Sequence, residues 1–277
     1  MLVSRRTTWS LRAVALVYLT LLLLAPLVVV FYRTFEHGLG TAWSWVSTPE
    51  AISAFWLSVI IAAIAVPLNT LFGVGCAMAL VRGRSNRRPM RWLRSFIDGM
   101  IDLPFAVSPV IVGLALILVY GQSGWFGRWF TGHGIQIIFA PAGMVIATVF
   151  VSLPFVVREV TPVLVEVGDE QEQAAATLGA SSWQTFWRVT LPTIRWGVGY
   201  GVVLTTARAL GEIGAVLVVS SNVAGSTVTL PLLVYDREQG FGSAATTGAY
   251  AAATELAVMS LAVLLVMTLL GRRRQAV

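Results

Sequence analysis

The chain has 277 residues, of which 57% are hydrophobic and 12% charged, against roughly 25% charged in an ordinary soluble domain. All 19 basic residues are arginine, which excludes a phosphate-loop lysine, a pyridoxal Schiff base and a catalytic lysine, and leaves any use of ATP to another chain. One cysteine (Cys76), two distant histidines (His37 and His133) and 13 scattered acids argue against a disulfide, a metal site and catalysis; a net charge of +6 on so apolar a chain points to membrane topology rather than nucleic acid.

Crossing the hydrocarbon layer of a bilayer takes about 20 apolar residues. Six such runs follow one another: Ala13 to Tyr32, Ala54 to Val81, Leu103 to Tyr120, Ile135 to Val157, Trp196 to Val219 and Ala244 to Leu270. The first is longer than the roughly 7 to 15 residues of a signal-peptide core and reads as a retained anchor. Asp98 and Asp102, before the third run, read as interfacial charges, and Pro104 and Pro109 after them as kinks. The loops at 34–53, 121–134 and 220–243 are rich in glycine, serine, threonine and tryptophan, with Trp43, Trp45, Trp125 and Trp129 suited to an aromatic belt.

Arginine is distributed unevenly between the two sides of these runs. Fifteen lie on one side, in the groups Arg5 to Arg12, Arg82 to Arg94, Arg158 to Arg195 and Arg272 to Arg274; three, Arg33, Arg128 and Arg237, lie on the other. The excess of positive charge predicts that both termini are cytoplasmic. This gives an N-terminal segment 1–12, one membrane domain 13–270 and a C-terminal segment 271–277. The basic stretch from Arg82 to Arg94 reads as a topological anchor against anionic headgroups.

One loop on the arginine-rich side, 159–195, is too long for a turn. Acids precede an alanine run from Asp169 to Ala176, as the first turn of a helix favours, and Gly179 offers a stop. Ser181 and Ser182 can cap a second short helix, Trp183 to Val189, that displays Trp183, Phe186 and Trp187 and is ended by Pro192. Two short helices meeting at a glycine suit a docking knob for a soluble partner. An amphipathic helix resting among headgroups fits the same pattern.

The motif Gln173-Ala174-Ala175, three residues, Gly179, nine residues, then Val189-Thr190-Leu191-Pro192 resembles the EAA loop of ABC importer permeases. Gln173 replaces the usual glutamate and Val189 the usual isoleucine; Glu172 is the nearest carboxylate that could substitute. The resemblance implies an all-α permease of the type I (MetI-like) fold with six transmembrane helices, and a coupling helix seated on an ATP-binding subunit. It assigns ATPase coupling to Gln173, Ala174, Ala175, Gly179, Ala180, Trp183, Phe186, Leu191 and Pro192. Residues 178–196, 205–216 (TTARALGEIGAV) and Thr229-Leu230-Pro231 further resemble the permeases for tetrahedral oxyanions, the sulfate/thiosulfate branch above all.

That branch implies a bacterial inner-membrane importer with a second permease subunit (CysT-like), two ATP-binding subunits (CysA-like) that use ATP and Mg, and an extracytoplasmic sulfate-binding protein. The chain itself would bind no cofactor and have no catalytic site. A molybdate or tungstate permease, and a stand-alone secondary anion transporter or channel, are the alternatives.

Charges inside the runs are the remaining candidates for an anion path. Arg208 stands near the middle of the fifth run, where an arginine costs at least about 2.5 to 3.5 kcal/mol without a partner or a wet cavity. Glu212 shares its helical face, so the two either line the path or form a structural pair. Glu255 is a cavity-facing residue or an interhelical acceptor. Thr227 and Thr229, after a glycine-serine turn, could meet an anion or a binding protein. Ala207, Gly211 and Ala215 form a stripe suited to helix packing.

Overall fold

The computed structural model describes residues 5–83 and 88–273. Arg84, Arg87 and Arg274, with the outermost parts of the expected end segments, lie outside them. Among the described residues every regular element is helical. The chain opens on an apolar rod made of α1 (Arg5–Leu19), a π turn (Thr20–Leu24) and α2 (Ala25–Phe35), followed by the short α3 (Leu39–Val46).

Next comes α4 (Pro49–Arg82). Its start is fixed locally: Pro49 sits where no donor is needed, Glu50 offsets the helix dipole, and the Thr48 hydroxyl accepts from the Ala51 N–H at 3.2 Å. Helices α5 (Arg88–Ala106) and α6 (Pro109–Tyr120) meet at a bend of 114°. The helix breaks at Ser108, because a residue before proline is pushed out of the helical region, whereas Pro104 stays inside α5.

After α7 (Gly127–Gly132) comes α8 (Pro141–Val167). The fourth run, expected from Ile135 to Val157, thus starts and ends later, since Phe139 takes a left-handed φ of 63° and Pro141 opens the helix. The loop helices α9 (Glu170–Thr177) and α10 (Ser182–Thr185) lead through a second π turn (Phe186–Thr190) into α11 (Leu191–Leu210). The chain closes with α12 (Gly214–Val219), α13 (Leu230–Glu238) and α14 (Ser243–Arg273).

Among the described residues four segments are long and apolar enough to cross a membrane: Arg12–Phe35, Pro49–Arg82, Pro141–Val167 and Ala245–Met267. The bent pair α5–α6 makes a fifth if it counts as one span. The expected single run from Trp196 to Val219 is instead two helices, α11 and α12, separated at Gly211 to Ile213.

Helices α4, α8 and α11 form the centre, and small residues let them approach closely. Val156 of α8 lies between Gly73 of α4 and Gly201 of α11. A Cβ on Gly73 would stand 2.6 Å from Val156 Cβ, and one on Gly201 only 2.9 Å from Val156 Cα. Gly197, one turn from Gly201, faces the Glu159 carbonyl just as tightly, at 2.9 Å. Against α8, close packing falls to Gly197 and Gly201; of the expected stripe, Ala215 is fully buried with its carbonyl close to Gly113 of α6, but the helix break separates it from Ala207 and Gly211. A buried polar seam fastens α4 to α8: Asn69 Nδ2 donates to Ser152 Oγ at 2.7 Å, Ser152 to the Thr148 carbonyl at 2.5 Å, and Thr148 to the Met144 carbonyl at 2.8 Å.

The apolar rod Arg12–Phe35 buries nothing along its most apolar stretch. It is held at its end by Thr34, whose hydroxyl donates to the Tyr250 carbonyl at 2.9 Å and bonds the Thr254 hydroxyl at 2.7 Å. Its exposed leucines and valines present a surface fit for lipid or another subunit.

The three-helix contact makes a paired prediction. Gly201→Ala forces a methyl group onto Val156 and should cost about 1–3 kcal/mol, while Gly199→Ala, with nothing within 4 Å of the new methyl, should be neutral or stabilising. Thermal unfolding in detergent reads both, and equal melting temperatures would contradict the close approach.

Candidate functional site

The loop 159–195 folds as an elbow. Helix α9 ends at Gly179, which takes φ +84°; the Gly179 N–H donates to the Ala176 carbonyl and the Ala180 N–H to the Ala175 carbonyl, both at 3.0 Å. This paired closure needs a left-handed residue, which glycine supplies without a steric penalty. On the other side of the elbow Ser181 caps α10. Its hydroxyl accepts from the Gln184 N–H at 3.3 Å, and the Gln184 side chain accepts from the Ser181 N–H at 2.9 Å.

Pro192 does not end the second short helix. Residues from Ser182 to Leu210 run as one helical path, with Pro192 in the first turn of α11. Proline lacks an N–H and its ring crowds the preceding turn; the wider π turn over Phe186–Thr190, closed by the Leu191 N–H on the Phe186 carbonyl, accommodates it.

The elbow presents an apolar tip. Leu178 is 88% and Trp183 70% exposed, and Trp183 meets the exposed Trp187 edge to face, with ring centroids 5.4 Å apart. Phe186, expected on the same face, adjoins Trp187 with ring centroids 5.4 Å apart but is half-buried and packs against the core cluster that contains Ile194 and Leu164. Gln173 and Ala174 are exposed, Ala175 and Ala180 half-buried, Leu191 half-buried and Pro192 exposed. The predicted coupling residues thus divide between the tip and its root, and Leu178 is an addition that the motif did not single out.

The root of the elbow is held by charge. Helix α9 has no buried residue, so packing alone does not fix it. Glu172 points inward: its Oε2 lies 2.9 Å from Arg82 Nε, and its Oε1 accepts from the Thr190 hydroxyl at 2.9 Å. Glu172 therefore does not substitute on the outer face for the carboxylate missing at Gln173. Arg82, the last residue of α4, also donates to the Leu164 carbonyl at 3.3 Å and the Gly168 carbonyl at 2.5 Å, serving the free carbonyls at the end of α8. It is a structural clamp rather than only an anchor for headgroups. A second ion pair joins α5 to α8, where Arg158 Nε donates to Asp102 Oδ1 at 3.0 Å and Arg158 Nη2 lies 3.5 Å from Asp98 Oδ1. Asp98 and Asp102 are thus helix-pairing groups, not free interfacial charges.

Arg208 and Glu212 are brought together at 2.8 Å, with Arg208 31% exposed and Glu212 only 1%. The other carboxylate oxygen of Glu212 accepts from the Ala215 N–H at 2.8 Å. Glu212 thereby serves a free N–H in the first turn of α12, just past the break between α11 and α12. A void of about 10 Å³ beside Glu212, lined by Ser58, Thr148 and Thr229 among others, is at the lower limit for one water molecule. The accessible side of the pair is Arg208.

The remaining path candidates lie elsewhere. Thr227 is buried: its hydroxyl accepts from the Val223 N–H at 3.1 Å and bonds Ser221 Oγ at 2.7 Å, closing a turn instead of facing a channel. Thr229 is buried before α13, where Ser58 Oγ takes the Leu230 N–H at 2.9 Å, and the Thr229 hydroxyl has no hydrogen-bond partner among the described residues. Half-buried Glu255 finds no hydrogen-bond partner for its Oε2 among the described residues, and does not act as the interhelical acceptor expected of it through that oxygen. Arg237 is the staple at this end, donating to the Gly248 carbonyl at 3.1 Å, the Thr48 hydroxyl at 3.0 Å and the Trp45 carbonyl at 3.4 Å, with its guanidinium over the Trp45 ring. Nearby, burial raises Asp236 above the usual carboxylate range, against a bond from Asn222 that lowers it. A hollow of about 540 Å³ beside α7, lined by Gln122, Ser123 and Gln136 among others, touches none of the predicted path residues.

The sequence of residues 69–276 matches the family described as binding-protein-dependent transport system inner membrane component. The chain is 49% identical to the sulfate transport system permease protein CysW of Synechocystis sp., over 97% of this chain and 94% of that protein. It is 42% identical to CysW of Escherichia coli K12, over 96% and 88%, and 37% identical to the sulfate transport system permease protein CysT of Synechocystis sp., over 93% and 85%. In fold it is similar to a chain of a bacterial ABC transporter that imports alginate, with a TM-score of 0.74 at 18% identity over 97% and 96% of the two chains. A chain of the inward-facing methionine transporter MetNI aligns at a TM-score of 0.58 and 16% identity, over 80% and 93%. With a capped elbow in the spacing of the EAA loop, this fold and these relatives, the chain belongs to the inner-membrane permease components of binding-protein-dependent ABC importers.

Proposed function

We propose that this chain is the permease subunit of an ATP-driven importer for sulfate or thiosulfate, supplying half of the anion path and linking it to a separate ATPase. The observation that carries the reading is the similarity to sulfate transport permeases along nearly the whole chain. The arginine excess supports placing both termini and the elbow end in the cytoplasm. There the tip of Leu178, Trp183 and Trp187 docks into an ATP-binding subunit: rigid aromatic side chains provide contact area with few rotamers to freeze. Two such subunits bind ATP and Mg, a second permease of the CysT kind completes the path, and an extracytoplasmic sulfate-binding protein delivers the anion.

An anion of sulfate size does not fit the void beside Glu212. The path therefore runs along the exposed flank of Arg208, at a surface that the second permease encloses. Arg208 offers several donors in a fork matched to oxyanions, and Glu212 tempers its charge so that a dianion is not trapped. Glu212 acts from behind, as a buried counter-charge that also accepts from the Ala215 N–H.

Disrupting the gene should abolish growth on limiting sulfate or thiosulfate while sparing growth on cysteine; unaffected growth on those anions rejects the substrate. Replacing Leu178 and Trp183 by alanine should leave the melting temperature unchanged, since both are exposed, yet weaken ATPase binding by about 2 kcal/mol or more; undiminished co-purification of the ATPase rejects the docking role. Arg208→Ala strands a buried carboxylate and should destabilise the protein by about 3–5 kcal/mol. Adding Glu212→Gln should recover stability without recovering uptake, and recovery of both would show that Arg208 serves only as a partner to Glu212.

A further inference from the structure

We propose that Arg82 is a positioning residue for energy coupling, the joint that makes the elbow and the ends of α4 and α8 move as one lever. The inference rests on the docking role of the elbow proposed above and concerns what happens after docking. Three observations carry it. The first is that α9 is bracketed by two glycines in left-handed conformations, Gly168 at φ +71° and Gly179 at φ +84°, and has no buried residue. A force applied at its tip would otherwise be absorbed by rotation at those glycines. The second is that Arg82 spans the first of these hinges: it holds the carbonyls of Leu164 and Gly168 on one side and the Glu172 carboxylate on the other. The third is that Glu172 also accepts from Thr190, at the π turn before α11. One carboxylate therefore ties α9 to α4 through Arg82 and to the start of α11 through Thr190.

The placement of charge explains the unusual motif. The carboxylate nearest the motif's first position is Glu172, one residue before Gln173 and on the inward side of α9, where it serves a joint within the permease. The outward tip is left uncharged apart from its surroundings, so the ATPase groove that receives it is recognised through apolar contact. Arginine suits position 82 because one guanidinium donates to two carbonyls through Nη1 and Nη2 while its Nε side pairs with the Glu172 carboxylate, a reach that the point charge of a lysine lacks.

The test uses the complete importer in proteoliposomes with sulfate as the anion, comparing wild type, Arg82→Gln, Glu172→Gln and the double variant. ATPase retention, the melting temperature, and the ratio of ATP hydrolysed to sulfate imported are measured together. Each single variant should keep its ATPase subunits and raise the ATP-to-sulfate ratio about five-fold or more, the lower range of coupling between sites. The double variant should be no worse than the singles, as expected when two residues act as one unit. Glu172→Gln leaves the bonds from Arg82 to α8 in place, so it decides the question if Arg82→Gln fails to fold. Unchanged ratios, or effects of the two changes that multiply, overturn the joint. Failure of the wild-type chain to retain an ATPase through the elbow overturns the docking reading instead.

Discussion

The contact of Val156 with Gly73 and Gly201 is the constraint from which the rest of the bundle is hung. It brings the backbones of α4, α8 and α11 within a side chain's width of one another, closer than leucine-on-leucine packing allows. In a bilayer there is little hydrophobic gain in joining two apolar helices, so such close van der Waals contact, with a buried hydrogen-bonded seam, is what makes association favourable. Asn69, Ser152 and Thr148 form that seam on α4 and α8. Because the three helices are locked in the middle, their ends are fixed as well: Arg82 arrives beside Gly168, and Arg208 beside the break that opens α12.

The ion pairs share one pattern, a partner on the same or a neighbouring helix, and outside it stands the Oε2 of Glu255, without a hydrogen-bond partner among the described residues. Arg158 answers Asp98 and Asp102, Arg82 answers Glu172, Arg208 answers Glu212, and Arg237 is satisfied by carbonyls, a hydroxyl and an aromatic face. Arg208 keeps an accessible side while its partner Glu212 is fully buried. The asymmetry between it and Glu212 separates a group able to meet an anion from one that holds the geometry.

Local rules made the elbow legible from the sequence. An acid-rich start, a glycine at the stop and a serine able to cap the next helix each act within a few residues of one another, and each was found in place. The membrane runs were legible as composition, yet not as geometry. Hydropathy treats Trp196 to Val219 as one run because it sums side chains and does not register the break at Gly211 to Ile213, where Glu212 accepts from the Ala215 N–H. Pro192 read as a stop because an inserted π turn leaves no compositional trace. The clamp at Arg82 was hidden for a different reason: its partners are more than 80 residues away, and nearby arginines suggested a shared role as orientation markers. The one available signal was the complementary sign of the acid cluster opposite it.

The π turn at Phe186–Thr190 has a geometric consequence for assembly. Each residue of an α-helix advances the chain by about 100° around its axis, and the wide turn accommodates one residue more than an α-helical turn would. With regular α-helix there, the indoles of Trp183 and Trp187 would be carried roughly 100° around the axis of α11, toward a different quadrant of the membrane face. The compass bearing of the aromatic tip is therefore set by a single surplus residue, and a one-residue deletion between Phe186 and Thr190 would re-aim the tip while leaving every side chain in it chemically intact.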